Sequence, residues 1–168
     1  MKALFPSLLA LALVSPQAGH AISLCDDMWV TRNYLFHKAG HCFGSALGQQ
    51  LFGNATCTTS NARLSGSDTA AVSTMRALES TMGCRVNTNA APTQDMRNRL
   101  SELRQLIDIP VPDEFGFACW GYSGPSGTLH SGAQATSPVI GRFDPGHSLI
   151  SEYWGRDGWF YYVVTTGP

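Results

Sequence analysis

The sequence lacks several features that would assign it to a common functional class. After residue 21, no apolar run approaches the ~18 residues that a transmembrane helix needs. Excess positive charge is also missing, since 11 Lys and Arg residues face 12 Asp and Glu residues, which disfavours a nucleic-acid partner. No Gly-x-Ser-x-Gly motif is present, so a serine hydrolase is disfavoured as well. No cysteine belongs to a Cys-x-x-Cys pair, which leaves the thiols to disulfides.

The first 21 residues have the composition of a secretory signal peptide. Lys2 precedes an apolar run from Ala3 to Val14, and small residues stand before a cleavage point after Ala21. A lipoprotein anchor at Cys25 is the alternative, but its processing requires a small residue where Leu24 stands. We therefore expect a periplasmic or secreted protein.

The cysteines predict a protein stabilised by disulfides in an oxidising compartment. Their number, five, is odd, so at least one thiol is left over; they are Cys25, Cys42, Cys57, Cys84 and Cys119. We favour Cys42 with Cys57, because the chain between them turns back on itself. A Cys25 to Cys84 bond would then tie the first helix to the third, and Cys119 would be free or intermolecular.

The stretch 25–57 predicts two helices separated by a glycine stop. Asp26 and Asp27 suit the N-cap and the first turn, and Gly40 suits the left-handed residue that ends a helix. Inside the first helix, we expect Arg32 to bond backbone carbonyls or an acid such as Asp27. Asn33 is expected to make a local hydrogen bond.

This stretch resembles the YARHG domain, an extracytoplasmic bacterial module. The pattern is carried by Trp29, Arg32-Asn33, Leu35, Phe36 to Gly40, Phe43 and Phe52. Of the pentad that names the family, the chain keeps the aromatic start, a basic residue at Lys38 and the glycine. The structural motif implied here is Trp29, Arg32, Asn33, Gly40 and Phe43. The resemblance implies location and fold more than activity.

Further helices are predicted up to residue 107, which gives a helical domain over 22–107. A short helix covers 45–52, a third begins at Ser67 or Asp68 and ends at Gly83, and a fourth follows Thr93. Apolar residues recur at helical spacing in the last two. We expect the arginines of the fourth helix, Arg97, Arg99 and Arg104, to lie on a solvated surface near Glu102.

The chain changes character at residues 108–114, where two prolines favour an extended linker. Aromatic residues and Gly, Pro and Asp-Gly turns then predict a small all-β unit over 115–168. Strands are predicted at 115–122, 139–143, 148–154 and 159–165, with a Ser/Gly-rich loop at 123–137 and a hairpin turn at Asp157-Gly158.

Residues 115–165 also resemble a bacterial SH3-like domain. The matching segments are Gly127 to Gly132, Pro138 to Gly141, Pro145 to Leu149, and Asp157 to Trp159 with Val163. The usual final Gly-Trp strand is absent, so either the first strand supplies that edge or the barrel is incomplete. The predicted fold class is α+β: a small disulfide-stapled helical N-terminal domain followed by a small SH3-like antiparallel β-barrel.

The C-terminal aromatic residues are the candidate ligand-binding set: Tyr153, Trp154, Trp159, Tyr161 and Tyr162. Because alternate residues of a strand face opposite sides, Trp159 and Tyr161 should not share a face with Tyr162. A small barrel can bury one of these two rows of alternate side chains. The other row is either exposed for recognition or covered by the helical domain, and the sequence leaves both possibilities open.

Other candidate chemistry is weaker. His37 and His41 are four residues apart beside Cys42, but Gly40 should break the helix between them, so no metal site is predicted. Cys119 has no flanking motif of a nucleophile. We predict no catalytic residue and no cofactor.

The sequence therefore predicts an exported, non-catalytic binding protein of the cell envelope. The SH3-like resemblance implies a peptidoglycan peptide or an envelope protein as partner. A structural or inhibitory factor that acts through the helical domain is one alternative. A small hydrolase that uses Cys119 or His41 is another, and the oligomeric state is left open.

Overall fold

The computed structural model describes residues 22–155 and 158–165. The predicted signal peptide and Asp157 of the predicted hairpin turn lie outside these ranges. Four helices come first: α1 (Leu24–Lys38), α2 (Ala46–Phe52), α3 (Gly66–Thr81) and α4 (Gln94–Leu103). Five strands follow: β1 (Pro112–Cys119), β2 (Gly127–His130), β3 (Val139–Phe143), β4 (Ser148–Tyr153) and β5 (Val163–Thr165). The α+β class is confirmed.

Each helix begins at a hydroxyl N-cap. The side-chain oxygens of Ser23, Ser45, Ser65 and Thr93 accept a hydrogen bond from a backbone N–H three residues later. The prediction that Asp26 or Asp27 caps α1 is wrong, because Ser23 holds that position. Asp26 remains in the first turn, where a negative charge is favourable.

α1 is the central element of the helical half. One of its sides packs with α2 and α4 around Trp29, Phe52 and Leu100. The other side packs against α3 around Met28 and Met75. The two disulfides join Cys25 to Cys84 and Cys42 to Cys57, the pairs favoured from the sequence, and Cys119 is free and exposed.

Gly40 ends α1 in the left-handed region with φ of +81°. Its carbonyl accepts hydrogen bonds from the backbone N–H groups of Thr58 and Thr59. A Cβ at Gly40 would lie 2.5 Å from the hydroxyl oxygen of Thr58. The position therefore requires glycine for two reasons, backbone conformation and close approach.

The strands form two antiparallel sheets. One has the order β1-β4-β5, and the other is the β2-β3 hairpin. Among the described residues these sheets do not close into a barrel, so the predicted SH3-like barrel is not confirmed. β2 lies within the segment 123–137 that was predicted as loop.

The predicted last strand is shorter than expected. β5 begins only at Val163, and residues 159–162 have irregular backbone. The predicted alternation of Trp159 and Tyr161 against Tyr162 therefore does not apply, because it requires regular strand geometry.

The segment 108–114 is extended, but it also packs between the two halves. Pro110 and Pro112 are buried, and β1 already begins at Pro112. The carbonyl of Val111 accepts a hydrogen bond from the N–H of Trp154 (3.0 Å). The carboxylate of Asp108 accepts one from the N–H of Ala133 (2.9 Å). The helices and sheets are thus joined by contacts on both sides of the segment.

In the ranges that the structure describes, no helix combines the length and apolar character required to cross a bilayer.

Candidate functional site

The candidate site is a cavity of about 390 Å³ between the end of α4, the β2-β3 hairpin and residues 158–163. We call it the aromatic pocket, because six aromatic side chains line it together with Arg99 and Glu102 of α4. These six are Phe143, Tyr153, Trp159, Phe160, Tyr161 and Tyr162. The pocket lies where the helical half meets the sheets.

The floor of the pocket is formed by Arg99 and Tyr153, which belong to a buried polar network centred on Asp27, a residue that does not itself line the pocket. Its Oδ1 accepts hydrogen bonds from Arg99 Nε (2.6 Å) and Thr31 Oγ1 (2.9 Å), and its Oδ2 accepts one from Tyr153 Oη (3.0 Å). Asp27 and Arg99 are 3% and 4% exposed. The network connects α1, α4 and β4, so one buried carboxylate joins the two halves of the molecule.

The guanidinium of Arg99 is almost fully engaged. It lies 4.6 Å from the centre of the Tyr153 ring, which is cation–π distance, and Nη1 is 3.3 Å from Glu102 Oε2. Nη2 is enclosed and has no hydrogen-bond partner within the described ranges. Glu102 itself is half exposed, so it is the charged group of the pocket that solvent reaches.

The pKa values of Arg99 and Tyr153 are both raised in the buried network. Burial acts to lower the pKa of Arg99, but the adjacent Asp27 carboxylate outweighs it, and the net pKa is raised. Burial raises the pKa of Tyr153 far above its ordinary value. Arg99 therefore stays cationic and Tyr153 stays a neutral donor throughout the physiological range.

A histidine supports the wall of the pocket. His130 Nδ1 lies 2.9 Å from the carbonyl oxygen of Ser137, and Nε2 lies 3.0 Å from Thr128 Oγ1. A carbonyl can only accept, so Nδ1 carries a proton. The ring, held in this way, contacts Trp159 edge-on at 5.6 Å between centroids.

The predicted aromatic set is partly brought together. Tyr153, Trp159, Tyr161 and Tyr162 line the pocket, whereas Trp154 is half exposed and is not among the lining residues. Tyr153 is a buried floor residue, and Tyr161 Oη donates to the carbonyl of Asp108 (3.3 Å). Phe143 and Phe160 were not predicted as site residues.

Two predictions about charged residues are confirmed in part. Arg97 and Arg104 are exposed, as expected, but Arg99 is buried and does not lie on a solvated surface. Arg32 bonds an acid, one of the two kinds of partner expected, but the acid is Glu79 on α3 and not Asp27: its Nε lies 2.9 and 3.0 Å from the two carboxylate oxygens. Asn33 does make the local bond expected of it, donating to the Trp29 carbonyl (2.8 Å).

The other candidates do not form a second site. The ring of His41 packs against Phe36 and Phe43, at 5.8 and 5.0 Å between centroids. No hydrogen bond or ring contact joins Cys119 to a histidine in the described part of the chain. Nor do the described residues include a group of three or more His, Cys, Asp or Glu side chains placed to hold a metal.

Comparison with known families divides the chain in two. Residues 3–80 match the YARHG domain, which confirms that resemblance over a longer range than 25–57. Residues 83–168, slightly more than half of the chain, match a family described as "Domain of unknown function (DUF4453)". No curated protein and no solved structure matches the chain. The lining residues of the pocket fall in the second match, and Asp27 beneath them falls in the first.

Proposed function

We propose a function for this chain from the geometry of its own pocket. The chain belongs to the family described as "Domain of unknown function (DUF4453)". The chain is an exported, non-catalytic binding protein of the cell envelope. Its aromatic pocket recognises a peptidoglycan peptide. The observation that carries the proposal is the pocket itself, a concave site with six aromatic residues beside a buried, hydrogen-bonded network.

The size and lining of the pocket support recognition of a small group. Ligand cavities commonly measure about 300–1,000 Å³ and are mainly apolar with a few polar groups. At about 390 Å³, this pocket accommodates a side chain or a short peptide segment better than a long polymer. We include in the proposal that the two sheets are related to SH3-like domains, which would also favour a peptide ligand.

The disulfides support export. Two bonded cysteine pairs are typical of proteins that fold in oxidising compartments, such as the periplasm or the extracellular space. The predicted signal peptide and the YARHG match favour the same location. Periplasmic or secreted localisation is therefore included in the proposal.

The alternatives receive less support. The aromatic side chains of the YARHG motif, Trp29, Phe43 and Phe52, are buried in the helical core, so they are not offered to a partner. Cys119 lacks a histidine contact among the described residues, which leaves a hydrolase without an activated nucleophile.

The test is a pull-down with purified peptidoglycan sacculi, using residues 22–168 and two matched tryptophan variants. Trp159→Ala removes a pocket wall, whereas Trp154→Ala removes a half-exposed tryptophan outside the pocket. We expect the wild-type chain and Trp154→Ala to pellet, and Trp159→Ala to bind roughly tenfold more weakly, as for loss of one aromatic contact.

Thermal unfolding followed by circular dichroism controls for folding. If Trp159→Ala does not fold, Phe160→Ala takes its place, because Phe160 lines the pocket but is largely exposed. Failure of the wild-type chain to pellet would remove peptidoglycan as the ligand. Equal binding by the pocket variant and Trp154→Ala would remove the pocket as the site.

A further inference from the structure

Among the residues that the structure describes, the charged groups at the aromatic pocket leave an excess of negative charge at its mouth. The described lining residues include two side chains of permanent charge, Arg99 and Glu102. The charge of Arg99 is already balanced by Asp27, which touches its Nε at 2.6 Å beneath the pocket. Glu102 is a second carboxylate beside the same guanidinium, 3.3 Å from Nη1, so these three groups carry a net negative charge, and about half of the Glu102 side chain faces solvent.

Arg99 is poorly placed to bind an anion. Its Nε is used by Asp27, Nη1 faces Glu102, and Cζ lies 4.6 Å from the centre of the Tyr153 ring. The remaining nitrogen, Nη2, is enclosed. An entering carboxylate would also meet the negative charge of Glu102, which disfavours like-charged ligands.

The aromatic rings favour the opposite sign of charge. Ring faces carry partial negative charge and attract ammonium groups, with tryptophan the best of the three aromatic residues. Trp159 is held by its edge contact with His130, and Tyr161 is held by its contact with Tyr153 at 6.3 Å. Rings that are already fixed lose little freedom when a ligand binds.

We propose that the aromatic pocket binds a positively charged alkylammonium group of its peptide ligand. The apolar stem lies among the aromatic rings, and the ammonium contacts Glu102 at the mouth. This inference rests on the proposed function and adds the chemical class of the group recognised: a side chain such as that of lysine or of another diamino acid.

The test compares three small probes that differ in charge. Nα-acetyl-lysine methylamide carries the ammonium, Nα-acetyl-norleucine methylamide has a similar apolar stem without charge, and Nα-acetyl-glutamate methylamide carries a carboxylate. Binding to residues 22–168 is measured by NMR titration. We expect the lysine probe to bind about 5- to 30-fold more tightly than the norleucine probe, as a cation–π contact provides, and the glutamate probe to bind most weakly.

Glu102→Gln tests the role of the carboxylate. It keeps an oxygen acceptor near Arg99 but removes the charge, so the preference for lysine over norleucine should fall at least threefold. Glu114→Gln, the same change on exposed β1, is the matched control and should leave the preference unchanged. An unchanged preference in Glu102→Gln would overturn the role of Glu102.

The failures of the two proposals can be told apart. Equal binding of lysine and norleucine probes, or tighter binding of the glutamate probe, overturns the inference but leaves the pocket as a binding site. Binding to sacculi without binding of any probe also overturns the inference while the proposed function stands. If sacculi and all three probes fail to bind, both are wrong.

Discussion

The buried carboxylate of Asp27 provides the sharpest test of how the two halves are held together. Asp27→Asn conserves shape but removes the charge that balances Arg99. Arg99 is 4% exposed, so its guanidinium would be left buried with only the half-exposed Glu102, 3.3 Å from Nη1, as a counter-ion. Breaking a buried ion pair by removing one partner costs about 3–5 kcal/mol. That is a large share of the ~5–15 kcal/mol by which a domain is stable.

The assay is urea unfolding under non-reducing conditions, with the disulfides intact. With a urea slope of ~2 kcal/mol/M, a loss of about 4 kcal/mol lowers the unfolding midpoint by about 2 M. The matched control is Asp26→Asn, the same change one residue earlier, where only a first-turn charge worth about 0.3–1 kcal/mol is lost. Equal midpoints for the two variants would refute the role of the network.

A second variant separates the contribution of the sheet. Tyr153→Phe keeps the ring beneath Arg99 but removes the hydrogen bond to Asp27 Oδ2, at an expected cost of about 1.5–3 kcal/mol. Because both side chains belong to one network, the double variant should lose less than the sum of the single losses, by about 0.5–3 kcal/mol. Additive losses would show that Tyr153 and Asp27 act independently.

Two further predictions concern the helical half. Gly40→Ala should lower the urea midpoint more than Gly83→Ala. Both residues end a helix with positive φ, worth about 1–2 kcal/mol, but only at Gly40 would the new methyl group meet Thr58. Equal midpoints would contradict the close approach. Burial, with a smaller effect of Arg104, lowers the pKa of His37. The free energy of unfolding should therefore fall as pH drops below about 6.5, because the imidazole of His37 then binds a proton in the unfolded chain but not in the folded chain. In His37→Gln the loss of stability between pH 7.5 and 5.5 should be smaller, and an identical loss would argue against this role.

The helical half could be predicted in most respects, because its signals are local. Helix caps, the glycine that ends α1 and the apolar spacing along α3 each depend on residues a few positions apart. The disulfide between Cys42 and Cys57 encloses a short segment that the sequence already indicates will turn back. The sheets depend on contacts between residues that are far apart in the sequence. The strand predicted at 159–165 is accordingly only partly present.

Arg99 shows how a site residue was missed although a signal existed. Met96, Arg99, Leu100 and Leu103 follow the spacing of one helix face, so the arginine lies on the buried side of α4. The usual exposure of arginine outweighed that spacing in the prediction. Its partner could not be inferred, since Asp27 is 72 residues earlier and also fits the role of a first-turn charge.

The position of the bonded groups along the chain has a consequence for the order of folding. As the polypeptide emerges N-terminus first, all four bonded cysteines are present once residue 84 has appeared. Both disulfides can then close while the strands are still unmade. Asp27 meets Arg99 only later and Tyr153 later still, so its carboxylate stays hydrated until the sheet docks. Assembly of the nascent chain is therefore expected to end, rather than begin, with dehydration of the contact that joins its two halves.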